Sequence, residues 1–191
     1  PKTAALAVKS GLIEMLLFSV NPAFDMLPSG QDLDELLRDG YHYDNGLSGI
    51  NTERADLYKL CEEYNVGITV MKGFAGGRLF DEKRSPFGVA LTPMQCIHYA
   101  LTRPGVASIL CGYDTKEQVD EAISYENATE QEKDYDRQTS MQTLKLLKRL
   151  GYEITHNSED DCHCPECGKK ITLDMSYCPS CGRYLQLKDF Y

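Results

Sequence analysis

Two copies of one short turn stand near the end of the sequence: Cys164-Pro-Glu-Cys167-Gly168 and Cys178-Pro-Ser-Cys181-Gly182, with ten residues between them. A Cys-x-x-Cys turn aims two thiolates at one centre, and glycine after the second cysteine lets the turn tighten. Two such turns supply four sulfurs, which closes a tetrahedral shell and leaves no position for a substrate. The expected chemistry is structural metal binding, with zinc as the ion. Iron accepts the same four ligands, and spacing alone does not separate the two metals. A [4Fe–4S] cluster favours a denser run of cysteines. Cys162 and His163 crowd against Cys164 and are expected to stay outside the shell.

The other cysteines read differently. Cys61, Cys96 and Cys111 are scattered through apolar stretches, as small buried hydrophobes are. Clustered pairs beside scattered singles point to a reducing compartment rather than to a disulfide framework. The cysteine module resembles the short zinc-ribbon family. Such ribbons commonly meet nucleic acid or protein. Here the formal net charge is −9, and acidic residues outnumber basic ones around the module, so phosphate contacts are disfavoured. The ribbon is therefore expected to contact protein, within the chain or beyond it. No apolar run reaches the length of a membrane span, and residues 1–11 lack a signal-peptide core, which points to a cytoplasmic protein.

The elements upstream alternate between strand and helix signals. Residues 4–8 read as a short helix stopped at Gly11, and GLIEMLLFSV, residues 11–20, as a buried strand. A polar connection over 21–51 leads to a helix at 52–64, with Leu57, Leu60, Cys61 and Tyr64 on its apolar face and Asn65 at its turn. VGITVM, residues 66–71, is the second strand, and a glycine-rich loop follows it. Thr92 and Pro93 open the next helix. Residues 103–105 turn the chain into a third strand, 106–111, ended by Gly112. Thr115 and Gln118 have the capping-box spacing for a further helix. This order is part of a parallel α/β sheet. Three parallel strands leave two open edges and a poorly covered face, so further strands are expected upstream of Pro1 or on another chain. Thr129 opens another helix, with Met141, Leu144, Leu147 and Leu150 at three-residue spacing up to Gly151. THNSEDD, residues 155–161, reads as linker. The expected organisation is an α/β unit over 1–128, a helix over 129–151, a linker over 152–161 and a zinc ribbon over 162–191.

Three segments carry a second resemblance. VGITVMKGFAGGRL (66–79) is similar to the seventh strand and following loop of aldo/keto reductases. LTRPGVASILCGYDTKEQVDEA (101–122) is similar to their eighth strand and helix. GLIEMLLFSVNPAFD (11–25) is similar to the sixth strand in a subgroup that often carries a ferredoxin-like tail. The resemblance covers residues 1 to about 136. It implies the last three βα units of a (β/α)8 TIM barrel, with NADP or NAD as cofactor. Met71 takes the place of an aromatic residue that stacks on nicotinamide. Lys72, Phe74, Gly76 and Gly77 would line the pyrophosphate, with Gly112 in the next loop. Thr115, Gln118 and Glu121 fall where the family meets the adenosine end, and Ala122 replaces an Asn common there.

In such barrels the loops after the last two strands commonly hold phosphate, and a helix N-terminus at Thr115–Gln118 favours an anion. Taken without the resemblance, the glycines merely make tight turns. The family's tetrad of Asp, Tyr, Lys and His comes from strands outside this sequence, so no catalytic residue is assigned. His42, His98 and His156 do not substitute for it. The functional expectation is the C-terminal part of an NAD(P)H-dependent oxidoreductase acting on a carbonyl substrate, inactive as this chain alone. The alternative is a non-catalytic scaffold built on a half-barrel and a ribbon.

Overall fold

The computed structural model describes residues 1–27, 51–135, 162–171, 175 and 177–185. These divide into two compact units, Pro1–Ala128 and Thr129–Tyr191.

In the first unit, α1 (Lys2–Lys9) leads to β1 (Met15–Ser19) and a short helix α2 (Pro22–Asp25). Then come α3 (Thr52–Glu63), β2 (Gly67–Met71), a kinked 3-10 segment (Ala75–Phe80), α4 (Pro93–Leu101), β3 (Val106–Ile109) and α5 (Lys116–Ile123). A last 3-10 turn covers Ser124–Asn127. The three strands form one parallel sheet in the order β1-β2-β3, with Leu16 beside Ile68 and Val70 beside Ile109. The expected parallel strand-helix alternation is present. Among the described residues it amounts to a three-stranded sheet.

The helices begin where the sequence punctuates them. Thr92 accepts a hydrogen bond from the Gln95 backbone N–H, and the Gln95 side chain accepts one from Thr92 N–H. Pro93 fills the first turn, where a missing N–H costs nothing. Asn65 sits after α3 at φ 54°, the left-handed turn its side chain tolerates.

The sheet is two-faced. Ile68 and Val70 are fully buried on the face where α3 packs on β2 and α4 packs on β3. Met15 and Leu17, which share the opposite face with Thr69, are 66% and 53% exposed.

Two expectations change inside this unit. The connection read as polar from residue 21 begins as core, because Asn21, Ala23, Phe24, Asp25 and Leu27 are all buried. Asn21 caps α2 by accepting from the Phe24 N–H at 2.9 Å, and Pro22 supplies its first turn. Residues 28–50 of that connection, with His42, lie outside the described residues. The buried face of α3 is also rotated from the expected one. It presents Arg54, Leu57, Tyr58 and Cys61, while Tyr64 is exposed.

The rotation has an electrostatic cause. Asp25 is buried, and a carboxylate removed from water needs charge and donors to compensate it. Arg54 Nε lies 2.6 Å from Asp25 Oδ1, Tyr58 OH donates to the same oxygen at 2.7 Å, and Tyr99 OH donates to Oδ2 at 2.7 Å. Arg54 also donates to the Ser19 carbonyl and lies over the Phe18 ring at 4.8 Å. Burial opposes the Arg54 charge, but Asp25 and Tyr58 outweigh it and raise its pKa. Burial, reinforced by Asp25, raises both tyrosines above the ordinary phenol range, so each keeps its proton to donate.

The second unit opens with α6 (Glu130–Lys133), capped by Thr129 and Glu132. The continuous helix expected over 129–151 breaks at once, since Asp134 is extended at φ −70°, ψ 105°. Asp134 there accepts a hydrogen bond from Tyr184 OH at 3.0 Å, a contact a continuing helix would have to compete with. Met141, Leu144, Leu147 and Leu150, and the linker 152–161, lie outside the described residues.

The Asp25 network sets a clear stability expectation for the first unit. Asp25→Ala leaves Arg54 buried without its counter-charge and should cost about 3 to 5 kcal/mol in urea unfolding. Tyr99→Phe removes one donor and should cost only about 1 to 2 kcal/mol.

Candidate metal centre and cavity

Each cysteine turn of the ribbon is closed by the same pair of backbone bonds. Cys164 N–H donates to the Lys169 carbonyl at 2.8 Å, and Gly168 N–H donates to the Cys164 carbonyl at 2.8 Å. In the second turn, Cys178 donates to Arg183 at 2.8 Å and Gly182 to Cys178 at 3.0 Å. Gly168 and Gly182 stand at φ 68° and 73°. A Cβ at either would meet nothing within 4 Å, so backbone conformation and not space calls for glycine. Antiparallel bridges at His163–Lys170 and Tyr177–Tyr184 complete the two hairpins.

The hairpins bring all four predicted sulfurs together. Sγ of Cys164 is 3.7 Å from that of Cys181, Sγ of Cys167 is 3.5 Å from that of Cys178, and all four lie within 4.8 Å of one another. Zinc–sulfur bonds of about 2.3 Å in a tetrahedron require sulfur separations of about 3.8 Å. The donor set fits a closed four-thiolate ion. Cys164 and Cys178 are buried and Cys167 and Cys181 exposed, so the site is half open to solvent. The Cys181 and Ser180 backbone N–H groups point at Cys178 and, led by Cys181, hold its thiol down to about 6. That favours a thiolate at Cys178, while the Arg183 backbone N–H at Cys181 is outweighed by burial and the neighbouring sulfurs, which raise that thiol.

Among the described residues, Ile171 and Leu185 join Cys164 and Cys178 in the ribbon's core, with Cys162 and Met175 packed against it. Two aliphatic side chains contribute a few kcal/mol, about 1.5 to 3 each, so a metal must supply most of the folding energy.

The first unit holds a cavity of about 550 Å³ at the carboxyl ends of β2 and β3. Of the residues expected there, Lys72, Phe74, Gly76, Gly77 and Gly112 line it, as do Gln118 and Glu121 of α5. Met71 and Thr115 do not. Met71 is the last residue of β2, in register with Ser19, and Thr115 is occupied as the cap of α5.

The loop after β2 owes its shape to left-handed backbone. Lys72, Ala75, Gly76 and Gly77 all have positive φ, between 50° and 79°. At Lys72 and Ala75 that costs about 1 kcal/mol or more each. The Lys72 carbonyl is held by the Asn21 side-chain amide at 2.9 Å and by Ala75 N–H at 2.9 Å. Phe74 and Phe80 lie 4.9 Å apart, tilted by 49°, as an apolar wall.

The helix end expected to receive an anion is already engaged. Gln118 Oε1 accepts from Asp114 N–H at 2.7 Å and from Thr115 N–H at 3.4 Å, while Thr115 accepts from Gln118 N–H. Glu117 is lowered by its own backbone N–H and then by Thr115. An incoming phosphate would compete with all of these. Lys72 is the cation of the cavity, against the carboxylates of Asp114 and Glu121.

Cys111, Tyr113 and Asp114 also line the cavity, and Cys111, expected as a buried hydrophobe, is only half-buried because it opens onto it. Burial raises the Cys111 thiol, and burial with the Cys111 hydrogen bond raises the Tyr113 phenol. Both stay protonated near neutrality, which suits a binding surface better than a nucleophile. Cys61 and Cys96 are fully buried, as scattered cysteines should be, and burial pushes Cys96 up to about 12. His98 packs on Tyr125 with Nδ1 3.1 Å from its hydroxyl. His156 lies outside the described residues.

Residues 163–185 match the zinc-ribbon domain family, so the segment carrying the four cysteines is a zinc-ribbon module. No curated protein and no solved structure matches the chain. Among the described residues no helix is long and apolar enough to cross a membrane.

The chain as purified should carry one zinc by elemental analysis, which also separates zinc from iron. Cys178→Ser should reduce that content towards zero after dialysis, and should abolish the thiolate–cobalt absorption of cobalt-substituted protein.

Proposed function

We propose that the α/β unit contributes a nucleotide-cofactor half-site to an aldo/keto-reductase-like oxidoreductase, and that the ribbon is its structural zinc module. The observation that carries this reading is the placement of the cavity. It lies outside the carboxyl ends of two adjacent parallel strands, where α/β folds bind their ligands. Its lining gathers most of the residues that the family resemblance assigns to NADP or NAD. Lys72 would meet a phosphate charge, the Phe74–Phe80 wall an apolar ring, and the Glu121 carboxylate a donor such as an exocyclic amine.

Bound nicotinamide would supply hydride chemistry towards a carbonyl. The acid that protonates the carbonyl oxygen would come from other strands, as the resemblance implies, because burial raises the cavity's phenol and thiol away from neutrality and makes them poor proton donors. Those strands would also cover the exposed face bearing Met15 and Leu17 and close the sheet towards a barrel. The same bare face favours one other reading, a scaffold that offers it to a protein partner without catalysis.

Titrating the zinc-loaded chain with NADPH and following nicotinamide fluorescence separates these readings. The half-site reading expects saturable binding, weakened about tenfold by Lys72→Ala, which removes a charge-assisted contact. A chain that is folded by circular dichroism and shows no saturable binding would instead support the scaffold.

A further inference from the structure

The ribbon's second hairpin carries a tyrosine pair whose two hydroxyls bond to a segment outside the cysteine module. Tyr177 and Tyr184 face each other across the Tyr177–Tyr184 bridge, with ring centroids 5.5 Å apart and an edge-on angle of 65°. Tyr177 lies next to the metal ligand Cys178, and Tyr184 follows the Arg183 carbonyl that fixes the Cys178 backbone. Both hydroxyls reach a segment far back in the sequence. Tyr177 OH donates to Gln131 Oε1, and Tyr184 OH donates to Asp134 Oδ2 at 3.0 Å.

That segment is α6 and its exit. It is a single helical turn with no buried residue of its own, and such a turn does not persist alone in water. Its capping box helps, yet a cap contributes only about 1 kcal/mol. Asp134 leaves the helix in an extended conformation with its carboxylate on Tyr184, and Tyr135 just beyond is buried. The two hydroxyls therefore give residues 129–135 a hold on the hairpin. The hairpin in turn depends on the four sulfurs, because its own core is too small to fold it.

We infer that the ribbon is a metal-dependent clasp: zinc at Cys164, Cys167, Cys178 and Cys181 sets the Tyr177–Tyr184 pair, which holds Gln131 and Asp134. The occupant of this surface is thus the chain's own segment immediately after Ala128. Loss of metal would release that segment together with the hairpin. A module that looks purely structural would then report metal status to the stretch of chain that leaves the α/β unit.

Amide hydrogen exchange of the full chain, with zinc and after chelation, tests the clasp. Zinc should slow exchange at Gln131–Tyr135 about tenfold or more relative to the metal-free chain. Two double variants locate the cause. Tyr177→Phe/Tyr184→Phe and Gln131→Ala/Asp134→Ala should each lose that slowing while keeping the thiolate–cobalt spectrum of the intact site. Should the tyrosine variant lose its metal site, the second pair decides, since it lies outside the ribbon's coordination sphere. Equal exchange with and without zinc overturns the clasp, as does full protection in the Gln131→Ala/Asp134→Ala variant.

Discussion

A carboxylate buried at the end of α2 organises the first unit. Asp25 takes a guanidinium from α3 and a phenol from each of α3 and α4, so one side chain ties together the segments that follow β1 and precede β3. An ion pair of this kind adds little net stability over an apolar replacement, but it tolerates few alternative arrangements. Its geometric consequence reaches the cavity. Asn21, the cap of the same α2 turn, donates to the Lys72 carbonyl and so holds the left-handed backbone at the mouth of the β2 loop. Core electrostatics and loop shape are therefore one problem with one solution.

The cavity itself is electrostatically balanced rather than strongly basic. One lysine faces two carboxylates, and the nearby helix end is capped by its own side chains. Anion binding there would rely on backbone approach at Gly76 and Gly77 and on Lys72, with the helix dipole as a weaker contribution. The paired phenylalanine rings add an apolar wall beside these polar groups. This division of labour suits an elongated ligand with a charged part and flat apolar parts better than a small isolated anion.

The ribbon solves the opposite problem. Where the α/β unit has an apolar core and uses a buried ion pair to choose one packing, the ribbon shows a small core among the described residues and converges on thiolates instead. Two hairpins with the same hydrogen bonds and the same positive-φ glycines converge on one centre. The tyrosines that flank Cys178 extend its reach to α6, so metal binding and the order of the adjoining segment become linked quantities.

Local chemistry made part of this legible in the residues alone. The Cys-x-x-Cys-Gly pairs specify a four-sulfur site wherever they occur, because the turn geometry is contained in five residues. Thr92-Pro93 and Thr115 with Gln118 mark helix starts for the same reason, and the parallel strand-helix alternation follows from apolar runs between such signals. The Asp25 network was not legible, since its members are separated by up to 74 positions and each looks ordinary in isolation. The one hint was a charged Arg54 three and four positions from Leu57 and Tyr58, on what became the buried face of α3. The helix expected from Thr129 starts at its cap, but the extended backbone at Asp134 coincides with a hydrogen bond from a tyrosine 50 positions away, which no local signal announces. Sequence by itself determined the metal ligands, the caps and the order of elements. Tertiary structure alone decided which polar groups would be buried together, because desolvation is a property of the assembled neighbours and not of any one segment.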